Sequence, residues 1–269
     1  MPDSASPRLH LALVPRSDTD KPSYWWSALR FMQAHRTYSQ MDAVAQRLLQ
    51  RINAQTWPWV RGVPDEPRAG ALTWEVPHAE IVTADDKREA SFIASQTLHY
   101  LRSALDHLIY NASWLDQGAP QEKTQFPILS NRNKWCTAKT IRDLGSMSPK
   151  HIAWIEAVQP FNGVKWTKTL QELSNADKHR FGVEVSPTVQ LGVNIEGAID
   201  DSRSRGVKLA QIEQVSLRLF LPGLNPYGEL PRTFDEMFIG AAGVINPFLK
   251  EAGISTLEVS PPQVRESDK

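Results

Sequence analysis

Leu98-His-Tyr-Leu-Arg-Ser-Ala-Leu-Asp-His-Leu-Ile-Tyr110 is the stretch whose reading decides the fold. Leucines at 98, 101, 105 and 108, continued by Ala94, Ala112 and Leu115, make one apolar stripe at three- and four-residue steps. That period predicts a helix over about 86–115, packed along its length. Turning about 100° per residue, the same helix gathers His99, Ser103, Asp106 and Tyr110 on another side, with Arg102 and His107 on either flank of the strip. One helix thus carries a core face and a polar face.

Upstream, residues 23–54 read as one long helix through Leu29, Met32, Met41, Val44, Leu48 and Ile52. A loop with Pro58, Pro64 and Pro67 follows, then a short strand at 71–76 in which Leu72, Trp74 and Val76 alternate. Residues 1–22, with Pro2, Pro7, Pro15 and Pro22, read as a disordered tail. Downstream, 116–133 is a loop, and two shorter helices come next. The second of these opens at Ser148-Pro149, an N-cap followed by proline at the first helical position, and ends before Pro160, with Ile152, Ile155 and Val158 expected inside. A helix at 167–180, anchored by Leu170 and Leu173, delivers Asn175, Asp177, Lys178, His179 and Arg180 at its end, where basic side chains suit the helix dipole.

From Val183 the period changes to two. Val183, Val185, Val189, Leu191, Val193 and Ile195 alternate, as do Val215, Leu217, Leu219 and Leu221 beyond a polar turn, which predicts an antiparallel hairpin. Thr233 and Glu236 make a capping box for a final helix at 234–252, closed by Gly253 and kinked by Pro247. The expected fold class is α+β: a helical-bundle core of about five main helices (23–54, 86–115, 148–159, 167–180, 234–252) with a small antiparallel β-sheet from 71–76 and 183–221. One domain at 23–257 with tails at 1–22 and 258–269 is the expected organisation.

Composition removes some function classes. Thirty basic and thirty acidic residues cancel, so no whole-molecule field draws the chain to nucleic acid or anionic lipid, although Arg30, Arg36, Arg47, Arg51 and Arg61 against Asp42 make the first helical region locally basic. The single Cys136 excludes an internal disulfide and paired-cysteine metal sites, and suits a cytoplasmic setting. No segment approaches the roughly 20 apolar residues of a membrane span. Some of the nine tryptophans are expected to line a pocket or interface.

Leu-Arg-Ser-Ala-Leu-Asp-His (101–107), Gln-Phe-Pro-Ile (125–128), Gln-Pro-Phe (159–161) and Asn-Ala-Asp-Lys-His-Arg (175–180) occur in order, and over about 86–180 the chain resembles a group of bacterial proteins of uncharacterised activity. More distantly, Arg102 and His107 match the Arg, four to six residues, His spacing of HEPN-like helical domains, many of them metal-independent ribonucleases. That resemblance implies RNA as partner, RNA cleavage or RNA binding as function, no cofactor, and Arg102 and His107 as catalytic residues. Histidine can move a proton at a ribose 2′-OH, and arginine can stabilise phosphorane charge. On an unbroken helix, residues five apart point about 140° from each other, so the pair converges only near a helix start or break, or across a homodimer.

His99, Asp106, Asn175, Asp177, Lys178, His179 and Arg180 complete the candidate binding set. His99, Asp106, His107, Asp177 and His179 are acceptable metal-ligand types, but no Glu-x-x-His or His-x-x-x-His pair is present, and no metal is expected. The alternative role is architectural: Arg102, Asp106, His107, Asp177 and His179 as hydrogen-bonded locks between helices of a non-enzymatic binding or scaffold protein, with Arg102 and Asp106 an i, i+4 ion pair.

Overall fold

The computed structural model describes residues 22–54, 59–63, 73–75, 82–179, 183–200, 208–222 and 228–259. It is an α+β protein, a helical bundle with a small antiparallel sheet, as the two periods predict. Its helices are α1 (Trp25–Tyr38), α2 (Gln40–Asn53), α3 (Ala84–Gln117), α4 (Ala138–Leu144), α5 (Pro149–Ala157), α6 (Lys165–His179) and α7 (Leu230–Glu251). Its strands are β1 (Trp59–Val63), β2 (Thr73–Glu75), β3 (Ser186–Asp200), β4 (Lys208–Leu221) and β5 (Gly228–Glu229). Contacts gather into two compact units. One combines the chain up to Ser39 with Phe92–Val183 and the residues from Pro231 onward; the other combines Gln40–Ser91 with Glu184–Leu230.

The first unit is the bundle. Leu98, Leu101, Leu105, Leu108 and Ala112 of α3 are fully buried, as the stripe requires, whereas Leu115 at its end is 45% exposed. Burial of this kind stabilises by about 1.5–3 kcal/mol per leucine. α1 packs its aromatic residues on α7: Tyr24 meets Phe248, Phe31 meets Phe238, and Tyr38 stacks on Phe234. Ser27 donates to the Ala104 carbonyl at 2.7 Å, which ties α1 to α3.

α6 and α7 approach so closely that a Cβ on Gly240 would lie 2.4 Å from the Trp166 indole. α7 begins at Leu230, with Pro231 in its first turn, so the Thr233 to Glu236 box lies inside the helix rather than opening it. Pro247 lies within α7. The helix closes in a Schellman motif, where left-handed Gly253 lets Ile254 N–H reach the Leu249 carbonyl and its own N–H reach Lys250.

The second unit is built on a five-stranded antiparallel sheet in the order β1-β4-β3-β2, with β5 also on β4. The expected hairpin is β3 with β4, Val189 facing Leu217 and Leu191 facing Val215. β2 is the expected short strand, Trp74 opposite Leu191. Residues 59–63, which the sequence reading places in a loop, form β1, paired antiparallel with β4.

Met41, Val44, Leu48 and Ile52 are the buried face of α2. Near the start of α3, Asp86 accepts from the Thr83 hydroxyl and backbone and pairs with Arg51. Burial pushes its carboxyl up, but those hydrogen bonds and the Arg51 charge outweigh burial and hold it below the ordinary range.

Two expectations need correction here. The single helix over 23–54 is divided at Ser39, whose hydroxyl donates to the Arg36 carbonyl at 2.8 Å. Such local back-bonding competes with helix continuation, and an unbroken apolar period conceals it. On α5, Ser148 caps as expected by accepting from His151 N–H, but the buried residues are His151, Ile155 and Gln159, while Ile152 and Val158 are half-buried. The buried line is offset from the apolar one because two polar side chains have buried partners.

Candidate functional site

The site is built on an irregular segment that no strand pairs. Gln125 to Leu129 has no regular secondary structure and Phe126 is fully buried, so its backbone groups need partners from elsewhere. Side chains supply most of them. Gln125 N–H donates to the Asp143 carbonyl, and Phe126 N–H to Asp106 Oδ1 at 2.8 Å. The Phe126 carbonyl accepts from the Arg102 guanidinium, whose NH2 also lies 3.3 Å from Asp106 Oδ1. Gln159, fully buried, accepts from Leu129 N–H and donates to the Pro127 and Ile155 carbonyls. Gln171 donates to the Ile128 carbonyl at 2.8 Å. The motif at 101–107 therefore clamps the motif at 125–128, and the glutamine of the motif at 159–161 holds the same segment from another side.

Beside this clamp lies an open cleft of about 840 Å³ along the polar strip of α3. His99, Arg102, Ser103, Asp106, His107 and Tyr110 line it, in the order the helical turn predicts. Ser174 and Asp177 of α6 form a second wall, and the loop at 120–124 a third. In that loop Lys123 holds a left-handed backbone, φ 63°, which a non-glycine residue adopts at some cost.

Arg102 and His107 both border the cleft without forming a pair, as the 140° argument anticipates. Arg102 turns toward the clamp. His107, half-buried, is held below its ordinary pKa by burial and then by the Arg30 charge, with Asp106 opposing. Both effects favour the neutral imidazole, which can accept as well as donate.

A smaller cavity of about 270 Å³ adjoins, lined by Asn175, Gln125, Gln171 and Lys139 among others, and Arg102 and Ser174 border both spaces. The Ser174 hydroxyl is buried without a hydrogen-bond partner, as is Arg30 Nε on α1. Asp177 has no ion pair or hydrogen bond among the described residues.

Of the candidate residues, His99, Arg102, Asp106, His107 and Asp177 share the cleft, and Asn175 faces the smaller cavity. Lys178 and His179 belong to the last turn of α6, and Arg180 lies outside the described residues. Among the described residues Asp177 makes no interhelical hydrogen bond or ion pair; Arg102 and Asp106 pair with each other and with the backbone of Phe126. Among the described residues no group of three or more His, Cys, Asp or Glu could hold a metal, and no tryptophan lines the cleft. Ser174, Gln171 and the 120–124 wall have no counterpart among the sequence candidates, whereas Gln159 lies in the Gln-Pro-Phe motif (159–161) without having been assigned a role there.

A separate polar cluster lies on the α7 side of the bundle. His151, with its side chain 6% exposed, places Nδ1 2.8 Å from Asp116 Oδ2 and Nε2 3.2 Å from Glu251 Oε2. Lys150 also pairs with Glu251 at 2.8 Å, and Ser148 N–H donates to Asp116. Burial, then the Asp116 and Glu251 charges, push the Tyr24 phenol well above its ordinary range. Hydrogen bonds from Lys150 and then His151 hold the Glu251 carboxyl below its own. Phe248 and Trp154 pack against the imidazole, and the cluster ties α3, α5 and α7 together.

Neither a family model, nor a curated protein, nor a solved structure matches this chain. No helix among the described residues is long and apolar enough to cross a membrane.

Proposed function

We propose that this is a non-enzymatic binding protein whose α3 cleft receives a small polar ligand, the motif at 101–107 serving as the scaffold of that cleft. The observation that carries the reading is the commitment of Arg102 and Asp106 to the Phe126 backbone. An arginine anchored in this way is not positioned to follow charge at a transferring phosphate, so the residues left for a ligand are His99, Ser103, His107, Tyr110, Ser174 and Asp177. Such a cleft, with aromatic and hydroxyl groups and few charges, falls within the size range of small-molecule sites. A cytoplasmic setting fits the exposed, free Cys136.

A thermal-shift screen of metabolites on the wild type and on Ser103→Trp, which fills the cleft, tests the reading. Compounds that stabilise the wild type but not the variant support it, and a screen with no such compound sinks it.

A second reading, HEPN-like RNA cleavage by a homodimer, draws support from the place of His107 on the cleft, where burial and the Arg30 charge favour its neutral form, since a neutral imidazole can act as general base. Its test is incubation of a mixed RNA with the wild type and His107→Ala. Cleavage by the wild type alone would replace the binding reading with this one.

A further inference from the structure

Five residues of the third wall of the cleft, 119–123, are fixed only at their ends. Before them, Gln117 donates to the Ser146 carbonyl at 2.6 Å and Gly118 N–H to the Trp114 carbonyl at 2.7 Å. After them, Thr124 packs so closely on Gly145 that a Cβ there would lie 2.6 Å from its methyl group, and Gln125 N–H reaches the Asp143 carbonyl at 2.8 Å. Between these anchors, among the described residues, no hydrogen bond or ion pair joins 119–123 to the rest of the protein. The one side-chain bond, from Gln121 to the Ala119 carbonyl, stays within the loop. Pro120, Gln121, Glu122 and Lys123 nevertheless line the cleft.

Each end of the run has a backbone suited to a pivot. Gly118 has φ 73° with nothing within 4 Å of where a Cβ would stand, so it turns without steric restraint. Lys123 has φ 63°, where Cβ crowds the following carbonyl. Such a backbone persists when its surroundings fix it, and here no bond to the body of the protein does so. Pro120 stiffens the stretch between the two, while Glu122 and Lys123 keep its outer side in water. Five residues reach at most roughly 17 Å, so turning about fixed ends carries their middle by several Å, the scale of a small ligand.

Resting on the cleft-binding reading above, we propose that residues 119–123 are a lid. Hinged at Gly118 and Lys123, it closes over the cleft toward α6, and closure relaxes the left-handed Lys123 of the open form.

Double electron–electron resonance on the full chain tests this without a ligand. Spin labels sit at Glu122→Cys on the lid and at Glu172→Cys on an exposed position of α6, in a Cys136→Ser background that removes the exposed native thiol. Two distance populations are expected, the shorter from the closed lid. Lys123→Gly removes the steric cost of the open form and should raise the open-to-closed ratio by about five- to tenfold. Ser103→Trp places an indole in the cleft and should abolish the shorter population. A single population in the parent labelled chain, a ratio that Lys123→Gly leaves unchanged, or a shorter distance that survives in folded Ser103→Trp overturns the lid. Lys123→Gly, at an exposed loop position, decides the matter should the Ser103→Trp chain not fold. None of these results touches the cleft reading, which its own metabolite screen decides; a screen in which no compound depends on the cleft removes both.

Discussion

Replacing Gln159 by Leu isolates the clamp on the 125–129 segment. The side chain is fully buried and joins three backbone groups: it accepts from Leu129 N–H at 3.0 Å and donates to the Pro127 carbonyl at 2.9 Å and the Ile155 carbonyl at 3.0 Å. Leucine has similar volume, so the cavity contribution is small and the loss falls on hydrogen bonds. A buried donor or acceptor left unmatched costs about 1–3 kcal/mol, with carbonyls at the lower end because they tolerate under-satisfaction better than N–H groups. Three such groups, less about 1 kcal/mol regained from burying an apolar side chain, give a destabilisation of roughly 2–5 kcal/mol. For a protein of this size each 1 kcal/mol moves the melting temperature by about 2–4 °C, so a fall of roughly 4–20 °C is expected. Calorimetric melting, checked by urea unfolding, measures it. Gln171→Leu is the internal comparison, since it breaks one bond, to the Ile128 carbonyl, from a half-buried position and should cost about 1 kcal/mol. If Gln159→Leu melts no lower than Gln171→Leu, side-chain matching of the segment is not what holds it.

Two further outcomes test other parts of the bundle. Gly240→Ala should destabilise by about 1–3 kcal/mol through overpacking, because its Cβ would enter the Trp166 indole, whereas Gly243→Ala, exposed and with nothing within 4 Å, should stabilise by about 0.5–1 kcal/mol; paired melting curves decide, and equal shifts would refute the close α6 to α7 approach. Glu251 is held below its ordinary value of 4.5, so the stability it contributes is complete above that value and is lost as pH falls through its lower folded-state value. The melting difference between wild type and Glu251→Gln should therefore be largest near pH 7 and shrink toward pH 3, and a difference independent of pH would show that Lys150 and His151 do not hold the carboxylate.

The parts of the fold that follow a period were legible. The leucine stripe of α3, its polar strip with Arg102 and His107 on the flanks, and the β3 and β4 hairpin all came from the 3.6 and 2.0 repeats. What lacks a period was not. The division at Ser39 is a single hydroxyl bond inside an unbroken apolar pattern. β1 sits between prolines that read equally well as loop. The Asp116, His151 and Glu251 tie joins residues 35 and 100 positions apart, with no motif to connect them.

The same distinction explains why the motif at 101–107 looks like chemistry. A buried segment without regular secondary structure has neither helix nor strand partners for its backbone, so its N–H and C=O groups must be matched by long polar side chains fixed on helices. Arg, Asp and Gln meet that need, and they are also the residues of acid–base and anion-binding sites, so residue type and spacing alone do not separate the two roles. What separates them is where each remaining hydrogen-bonding valence points. Arg102, Asp106 and Gln159 direct theirs into the backbone of 126–129. His99, Ser103, His107, Tyr110 and Asp177 line the cleft and take no part in that clamp, and Asp177 has no hydrogen bond or ion pair among the described residues. The clamp thus fixes one edge of a cleft whose other lining residues remain able to meet a ligand, so the spacing of Arg102 and His107 reflects one anchoring residue and one cleft residue rather than a catalytic pair.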